Sequence, residues 1–258
     1  MCRLQPPPSG AHHGNITPVV ELLERAREQT WYHTLELPGG EVTPGIFDLR
    51  PYVPAYGIPE RLDGLRALEV GTWDGFWAFE LERRGAEVLA LDLDDERDLD
   101  WPPRRRPTAF PDEPRGKGFA LARELLGANV DRRNLSIYDA TPEELGGQFD
   151  LVFCGSVLIH LRDQLLALQR MAALTKPGGL LISAEEYDRL ASLVPFPVSR
   201  YRADRESAVV FWLPGIKTWG RMLWTAGYDD VRRHGRFRMR STEGWSVPHV
   251  VHHARKGP

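Results

Sequence analysis

An apolar run that carries an acid near its end, Glu69, is followed by two glycines, Gly71 and Gly75, and then by an amphipathic pattern. The apolar run, residues 65–70, predicts a buried strand, and residues 76–84 predict a helix. Glycines between a strand and a helix let the chain turn sharply and let a ligand approach the backbone closely. This segment therefore predicts the opening turn of a nucleotide-binding βαβ unit.

The spacing of these glycines disfavours two common nucleotide sites. The chain has no GxxxxGK[ST] pattern, so no lysine is placed to bind the phosphates of a nucleoside triphosphate. The turn also lacks the third glycine of GxGxxG, the fingerprint of dinucleotide-binding enzymes. An NTPase is therefore disfavoured, and an NAD-dependent oxidoreductase is the least favoured alternative that stays open.

A second acid, Asp92, strengthens the prediction of a nucleoside ligand. Residues 87–91 show another apolar strand pattern, and Asp92 follows it directly. An acid about 20 residues after the glycines, at the end of the next strand, is placed to accept hydrogen bonds from a ribose diol. Asp94, Asp95 and Glu96 crowd the same segment, so an acid that only solvates a loop is the alternative for Asp92.

Strand and helix patterns alternate along the rest of the chain. This rhythm indicates an α/β fold with a doubly wound, mostly parallel sheet of seven strands. Residues 93–117 are rich in proline and charge and predict a long loop, which in a compact domain is usually functional. The strands predicted after the second are residues 134–138, 149–154, 180–186, 231–240 and 249–253.

The first 59 residues precede this α/β pattern. Residues 1–16 predict a disordered leader, in which His12 and His13 are not expected to bind metal. Residues 17–59 begin with an amphipathic helix over 18–30 and continue with many aromatic side chains. We predict that this N-terminal helical and aromatic cap packs on the sheet edge, covers the active site, or does both. Residues 60–258 then form the α/β domain.

The composition is that of an ordinary globular protein. The chain has 258 residues and a net charge of −3, from 33 basic and 36 acidic side chains, so its total charge does not favour nucleic acid. Two cysteines far apart, Cys2 and Cys154, favour a reducing compartment and predict no disulfide. No apolar run approaches ~20 residues. We therefore expect a cytoplasmic protein without a membrane partner. No group of side chains in the sequence has the spacing of metal ligands.

With these elements in place, residues 60–255 resemble the class I S-adenosylmethionine (SAM)-dependent methyltransferases, which have a Rossmann-like fold. Glu69 and the two glycines match the first motif of that family, and Asp92 matches its ribose-binding acid. Asp139 matches the acid that holds the adenine amino group, and FDLVFCGSVLIHL, residues 149–161, matches the motif lining the methyl-transfer site. The resemblance implies SAM as cofactor, bound by Glu69, Gly71, Thr72, Gly75, Asp92, Leu93, Asp139, Ala140, Cys154 and Gly155.

The chain is most similar to the tRNA wobble-uridine methyltransferase-like branch, through segments such as GTWDGFWAFELERRGA and VLIHLRD. In that branch a relative transfers a carboxymethyl group from carboxy-SAM to 5-hydroxyuridine and binds the extra carboxylate with Lys, Tyr and Arg side chains. The matching positions here hold His33, Ile159 and His249. A carboxylate buried without such partners is costly, so we expect plain SAM as the donor.

Three residues are candidates for catalysis. His160 follows the fourth strand at the edge where ligands bind, and it is the first candidate for a general base, with a structural histidine as the alternative. Glu185, with Glu186 beside it, ends the fifth strand and is placed to orient the acceptor or act as base. His33, with Tyr32, is the third candidate and lies in the cap.

Several functions are compatible with these residues. The favoured one is methyl transfer from SAM to a hydroxyl, or another nucleophile, of a small molecule. The first alternative is a tRNA wobble-uridine-modifying methyl or carboxymethyl transferase, which a basic surface from residues 104–106, 200–205 and 232–240 would favour. A non-catalytic SAM-binding module is the second, and an acceptor pocket sealed by apolar side chains would favour it. The sequence predicts neither the acceptor nor the oligomeric state.

Overall fold

The computed structural model describes residues 18–204 and 209–258, and this part of the chain contains five α-helices and nine strands. The predicted leader and residue 17 lie outside the described residues. The helices are α1 (Pro18–Glu28), α2 (Phe76–Arg83), α3 (Lys117–Leu126), α4 (Gln164–Leu174) and α5 (Ile216–Thr225). The strands are β1 (Arg66–Val70), β2 (Glu87–Asp92), β3 (Asp131–Asn134), β4 (Phe149–Gly155), β5 (Thr175–Glu186), β6 (Ser199–Tyr201), β7 (Trp212–Pro214), β8 (Asp230–Arg240) and β9 (Ser246–Arg255).

Seven of these strands form one sheet in the order β3-β2-β1-β4-β5-β9-β8. The first five are parallel, and β9 runs antiparallel to both of its neighbours. The strand order reverses between β1 and β4, and folds of this kind bind ligands at the carboxyl ends of the strands beside such a switch point. The predicted seven-stranded, doubly wound sheet is confirmed.

Helices cover both faces of the sheet, which explains why its central strands are apolar along their length. On one face, α2 and α3 pack with the cap, and Phe76, Leu81 and Phe119 are buried there. On the other face, α4 and α5 bury Met171 and Trp219. Among the described residues, no helix is both long enough and apolar enough to cross a membrane.

The cap is held together by isolated backbone pairings rather than by strands. Glu36 pairs with Val42 around the turn at Pro38–Gly40, as the Pro-Gly-Gly sequence predicts. Phe47 pairs with His33 inside the cap and with Ser241, the residue after β8. The cap therefore packs along the edge of the sheet formed by β8.

The third strand differs from the prediction. It spans Asp131–Asn134 and pairs with Leu89–Asp92 of β2, whereas the sequence pattern predicted residues 134–138. This edge strand carries mostly polar, exposed residues, so it has no apolar run, and the apolar residues that follow it belong to a turn. A threonine followed three residues later by a glutamate, here Thr141 and Glu144, predicts the start of a short helix. The segment is a turn instead, although Thr141 Oγ1 does accept the Glu144 N–H at 3.3 Å. The short β6–β7 pair was not predicted.

Replacing Gly45 by alanine tests how closely the cap is packed. A Cβ at this position would lie 2.1 Å from the His33 carbonyl carbon and 2.3 Å from the Thr34 nitrogen. Because both atoms belong to backbone, we expect Gly45→Ala to lower the free energy of unfolding by roughly 1–3 kcal/mol in urea titrations. Gly220→Ala is the control, since its Cβ would meet the His252 ring at an ordinary 3.6 Å. Equal stability of the two variants would contradict this packing.

Candidate active site

A cavity of about 500 Å³ lies at the carboxyl ends of β1, β2 and β4, beneath the cap. Its position is the one that the strand order predicts for a ligand site. Of the residues predicted from the sequence, six line it: Gly71, Asp92, Leu93, Gly155, His33 and His160. The cavity has an acidic end at β2 and the loop after it, and an aromatic end under the cap.

The turn after β1 brings backbone close to the cavity. Gly71 has φ +78°, and a Cβ there would lie 2.3 Å from Cγ2 of Val157. Only glycine satisfies both constraints, because an L side chain rarely adopts this backbone conformation and would also clash. Trp73 also has positive φ, +46°, and its N–H donates to Asp92 Oδ2 at 2.7 Å. The turn therefore presents glycine backbone and an indole to the cavity.

The carboxylate of Asp92, at the end of β2, accepts several hydrogen bonds. Besides the Trp73 N–H, its carboxylate accepts the Leu93 N–H at 2.8 Å and lies 3.4 Å from the Arg115 guanidinium. Arg115 in turn stacks over the Trp73 ring at 4.0 Å. An ionised carboxylate accepts about four hydrogen bonds, and the arginine contact is the longest of the three. The group therefore retains capacity for a ribose hydroxyl. No motif in the sequence indicates Arg115.

Three predicted cofactor residues lie behind the turn and not in the cavity wall. Glu69 is 1% exposed, and its carboxyl accepts the Thr72 hydroxyl at 2.5 Å, while Thr72 is fully buried. Burial raises the pKa of Glu69 to about 8. A Cβ on Gly75 would lie 2.5 Å from the Phe79 ring and 2.8 Å from Phe119. These residues shape the turn and let α2 and α3 pack against it.

The predicted adenine acid is displaced from the cavity. Because β3 ends at Asn134, Asp139 falls in the following turn and is exposed, and Ala140 is buried in the core below it. Cys154, also predicted to bind cofactor, is fully buried within β4. The cavity wall is formed instead by the four residues before Asp139: Leu135, Ser136, Ile137 and Tyr138.

The long loop after β2 closes the acidic end of the cavity. Leu99, Asp100 and Trp101 of this loop line it. The Asp100 carboxylate accepts the Tyr138 hydroxyl at 2.7 Å and the Arg162 N–H at 2.8 Å. The loop is thus fastened to the turn after β3 and to the segment after β4. This agrees with the prediction that so long a loop serves the site.

The aromatic end is built from the cap. A buried acid of the glycine turn, Asp74, accepts the backbone N–H groups of Tyr32 and His33 at 2.6 and 3.0 Å. These two bonds hold the cap over the cavity, so both of the predicted positions for the cap are found. The side chains that line this end are Tyr32, Phe47, Leu49, Tyr56, Trp77 and Met239.

Two of the three catalytic candidates reach the cavity. His160 lies at its wall, and its Nδ1 is 2.5 Å from the Val209 carbonyl, while burial lowers the pKa of the ring. A carbonyl only accepts, so Nδ1 carries the proton and Nε2 is the basic nitrogen. His33 is 7% exposed and its Nδ1 has no partner within the described residues; burial lowers its pKa to about 3. The role of either as a base stays a prediction.

The third candidate, Glu185, does not line the cavity. It is 1% exposed, and its Oε1 accepts the N–H groups of Val157 and Leu158, both at 3.3 Å. Burial raises its pKa to about 8, so the carboxyl is largely protonated at neutral pH. Through these two bonds Glu185 supports the segment after β4. Its role toward the acceptor stays a prediction.

Comparison with known proteins agrees with the geometry. A ubiquinone biosynthesis O-methyltransferase from Cereibacter sphaeroides is 29% identical over 202 residues, covering 73% of this chain and 70% of that protein. The crystal structure of the N-terminal domain of EvdMO1 with SAH bound has a TM-score of 0.62 at 21% identity, covering 92% of this chain and 96% of that one. A Burkholderia thailandensis 1,6-didemethyltoxoflavin-N1-methyltransferase structure has a TM-score of 0.53 at 17% identity, covering 82% and 80%.

A glycine turn, an acid at the end of β2 and a cavity at the switch point are features by which an α/β fold binds a nucleoside. The model of the methyltransferase domain family matches residues 44–233, and the chain belongs to that family of SAM-dependent methyltransferases. S-adenosylmethionine is its cofactor. The proteins named above do not include a member of the tRNA wobble-uridine branch, so that narrower resemblance stays a prediction.

The buried ionisable groups predict how stability depends on pH. Glu69 and Glu185 have pKa values raised to about 8 from 4.5, so the stability they contribute is complete below pH 4.5 and is lost as pH rises from there through 8. His249 and His252 have pKa values lowered to about 4 from 6.5, so their contribution is complete above pH 6.5 and is lost as pH falls from there through 4. We therefore expect the free energy of unfolding to be highest where these two windows overlap, at about pH 4.5–6.5.

Glu185→Gln should flatten the alkaline side of this profile by an amount on the order of 1–3 kcal/mol between neutral pH and pH 9. The glutamine oxygen still accepts the two N–H groups, so the fold is kept. Urea titrations at a series of pH values measure the effect. An alkaline limb unchanged from that of the unsubstituted chain would mean that Glu185 is already ionised at neutral pH.

Proposed function

We propose that this chain transfers a methyl group from SAM to a hydroxyl of a small molecule with an apolar, ring-bearing body. The observation that carries the proposal is the division of one cavity into two ends. The end at Asp92 offers a carboxylate that can still accept hydrogen bonds, which suits a ribose. The end under the cap offers aromatic faces, which suit a ring.

The name of one relative supports the choice of a hydroxyl. The similar Cereibacter sphaeroides protein is an O-methyltransferase by name, and it is matched over most of its length. The aromatic end is also open enough to admit an acceptor, since it belongs to the same continuous cavity. This favours an enzyme over a module that only binds SAM.

The chain's own residues have three tasks in such a reaction. SAM supplies a methyl group on a sulfonium, which a nucleophile displaces in line. Asp92 and the turn at Gly71 hold the nucleoside, and the cap excludes water and orients the acceptor; alignment of this kind supplies on the order of 7–11 kcal/mol of the barrier reduction. The hydroxyl proton goes to His160, whose Nε2 is free because Nδ1 is bound to the Val209 carbonyl.

Plain SAM fits the cavity better than carboxy-SAM does. The positions that would bind the extra carboxylate hold His33 and His249, whose pKa values burial lowers to about 3 and about 4, and the buried Ile159. All three are uncharged at neutral pH. The cation of the described cavity wall, Arg115, is already engaged by Asp92.

Calorimetric titration with SAM tests the cofactor site. We expect Asp92→Asn to weaken SAM binding roughly 10–100-fold, because hydrogen bonds to a charged acceptor are lost. Asp94→Asn is the matched control: Asp94 binds Arg132 and does not line the cavity. Carboxy-SAM and NADH should bind weakly or not at all. Equal SAM affinity in both variants would place the ribose elsewhere, and tighter carboxy-SAM binding would refute the choice of donor.

A methyl-transfer assay with labelled SAM and a panel of phenols and ring-bearing alcohols tests the reaction. We expect His160→Gln to lower kcat about 10²–10⁴-fold and to remove the acidic limb of its pH profile, because a general base is lost. SAM affinity should stay near that of the unsubstituted chain. An unchanged pH profile in His160→Gln would remove this histidine from catalysis.

One observation favours the alternative function, modification of a tRNA wobble uridine. The edge strand β8 exposes a row of arginines, and exposed arginines in a row suit a phosphate backbone. The same labelled-SAM assay with unmodified tRNA tests it, since transfer to tRNA and not to small molecules would replace the first proposal. The exposed side chains are Arg232, Arg233, Arg236, Arg238 and Arg240.

A further inference from the structure

Ser156, the residue directly after β4, lies at the cavity wall in a strained backbone conformation. Its φ is +58°, in the left-handed region that residues with side chains rarely adopt. Its N–H donates to the Ala184 carbonyl at 2.9 Å, so pairing with β5 holds this conformation. Strain of this kind persists where the surrounding structure fixes it, and it concentrates at functional sites.

The Ser156 side chain is paired with a histidine from the neighbouring part of the sheet. Its Oγ lies 2.8 Å from Nε2 of His249, which is on β9. The other ring nitrogen, Nδ1, lies 3.3 Å from the Val247 carbonyl. Since a carbonyl oxygen only accepts hydrogen bonds, Nδ1 carries the proton and Nε2 is bare. The Ser156 hydroxyl must therefore donate its proton to Nε2.

The environment of His249 keeps this arrangement in place. The ring is 1% exposed and stacks on Phe237 with a centroid distance of 5.3 Å and an interplanar angle of 16°. Burial lowers the pKa of His249 to about 4, so the imidazole is neutral at physiological pH and Nε2 remains an acceptor. At physiological pH the Ser156 hydroxyl therefore donates its hydrogen bond to His249.

A serine hydroxyl that already donates its one proton to another residue can act toward a ligand only as a hydrogen-bond acceptor. Ser156 lines the cavity next to Gly155, where a Cβ would lie 3.7 Å from the Trp77 indole nitrogen. Ser156 therefore lies in the cavity wall, beside a residue that is close to Trp77 of the aromatic end. A ligand that presents an O–H or N–H group to the serine oxygen is bound, and one that presents an ether oxygen meets an acceptor and no donor.

We propose that Ser156, oriented by His249, binds a hydrogen-bond donor of the acceptor molecule and so selects acceptors that carry an O–H or N–H group beside the ring. The inference rests on the proposed function and specifies its acceptor chemistry. Ser156 is the binding residue, and His249 is a positioning residue that acts only through it.

The first experiment examines the pair without any acceptor. Nitrogen-15 NMR of the histidine rings, in protein saturated with S-adenosylhomocysteine, reports which nitrogen of His249 is protonated. We expect the Nδ1–H form at neutral pH, with a shift of the Nε2 resonance in Ser156→Ala. A protonated Nε2 in the unsubstituted chain would overturn the proposal whatever the acceptor is.

The second experiment uses two probes that differ in one donor, 2-naphthol and its methyl ether, 2-methoxynaphthalene. Fluorescence titrations are made with protein saturated with S-adenosylhomocysteine. We expect 2-naphthol to bind roughly tenfold more tightly than the ether, because the ether leaves the serine oxygen unpaired. This preference should persist in His160→Gln and disappear in Ser156→Ala. Ser156→Gly, which also relieves the left-handed strain, should behave like Ser156→Ala and guards against a folding defect.

His249→Phe separates positioning from a structural role. The phenyl ring keeps the stacking on Phe237, but it cannot accept the serine proton, which becomes free to donate to a ligand. We therefore expect the methyl ether to bind more tightly to this variant than to the unsubstituted chain, a gain that mere destabilisation does not produce.

The outcomes that overturn the proposal are distinct from those that overturn the proposed function. A preference for 2-naphthol retained in Ser156→Ala, or lost in His160→Gln, would refute the site, as would failure of 2-naphthol to bind the unsubstituted complex. Loss of SAM or S-adenosylhomocysteine binding by the unsubstituted chain would instead count against the proposed function itself.

Discussion

The cavity exists because one buried carboxylate, Asp74, joins the cap to the glycine turn. Its oxygens accept the N–H groups of Tyr32 and His33, and a Cβ on Gly118 of α3 would lie 2.5 Å from Oδ1. Burial raises the pKa of Asp74 to about 6, which measures how far the group has been removed from water. Cap, turn and α3 therefore meet at a single residue, and the aromatic end of the cavity is positioned by that contact.

The polar groups around the cavity divide by the charge they carry. Acidic and cationic side chains gather where β2 ends, where Asp92 and Arg115 are 3.4 Å apart. Toward the cap, His33, His249 and Glu185 are neutral at physiological pH, because burial lowers the pKa of the two histidines and raises that of Glu185. A charged end beside an end with these neutral groups suits the proposed transfer of a cationic group to a neutral hydroxyl, because water and stray charge would compete with both partners.

The sequence predicted the sheet because its central strands are apolar runs flanked by glycine turns. In an α/β fold, runs of this kind are buried as parallel strands between two layers of helices. The prediction failed at β3, an edge strand of polar residues without a periodic signal, and with it failed the position of Asp139. Gly71 and Asp92, which were predicted to bind the cofactor, both line the cavity, because their spacing follows from the turn and the next strand. Asp74 was not singled out, since its partners lie some forty residues earlier and only the folded chain brings them together.

Contacts between distant segments account for the other features that the sequence did not indicate. The hydrogen bond of Ser156 with His249 spans 93 residues, and Arg115 reaches Asp92 from the start of α3. Glu185 is the opposite case. Its place at the end of β5 predicted a residue beside the acceptor, yet the side chain is buried and does not line the cavity, because a side chain at a strand end can point into the core as easily as toward a ligand. Strand position predicts which edge a residue reaches, while the direction of its side chain depends on the register.

A crystal structure of the complex with S-adenosylhomocysteine tests the central claim, that one cavity holds the cofactor at its Asp92 end and leaves its aromatic end to the acceptor. We predict ribose hydroxyls within hydrogen-bonding distance of Asp92, the adenine against Leu93 and Ile137, and the sulfur directed toward Gly155. The aromatic end under the cap should remain open. A nucleoside bound away from Asp92, or one that fills the space beneath Tyr32 and Phe47, would contradict the account.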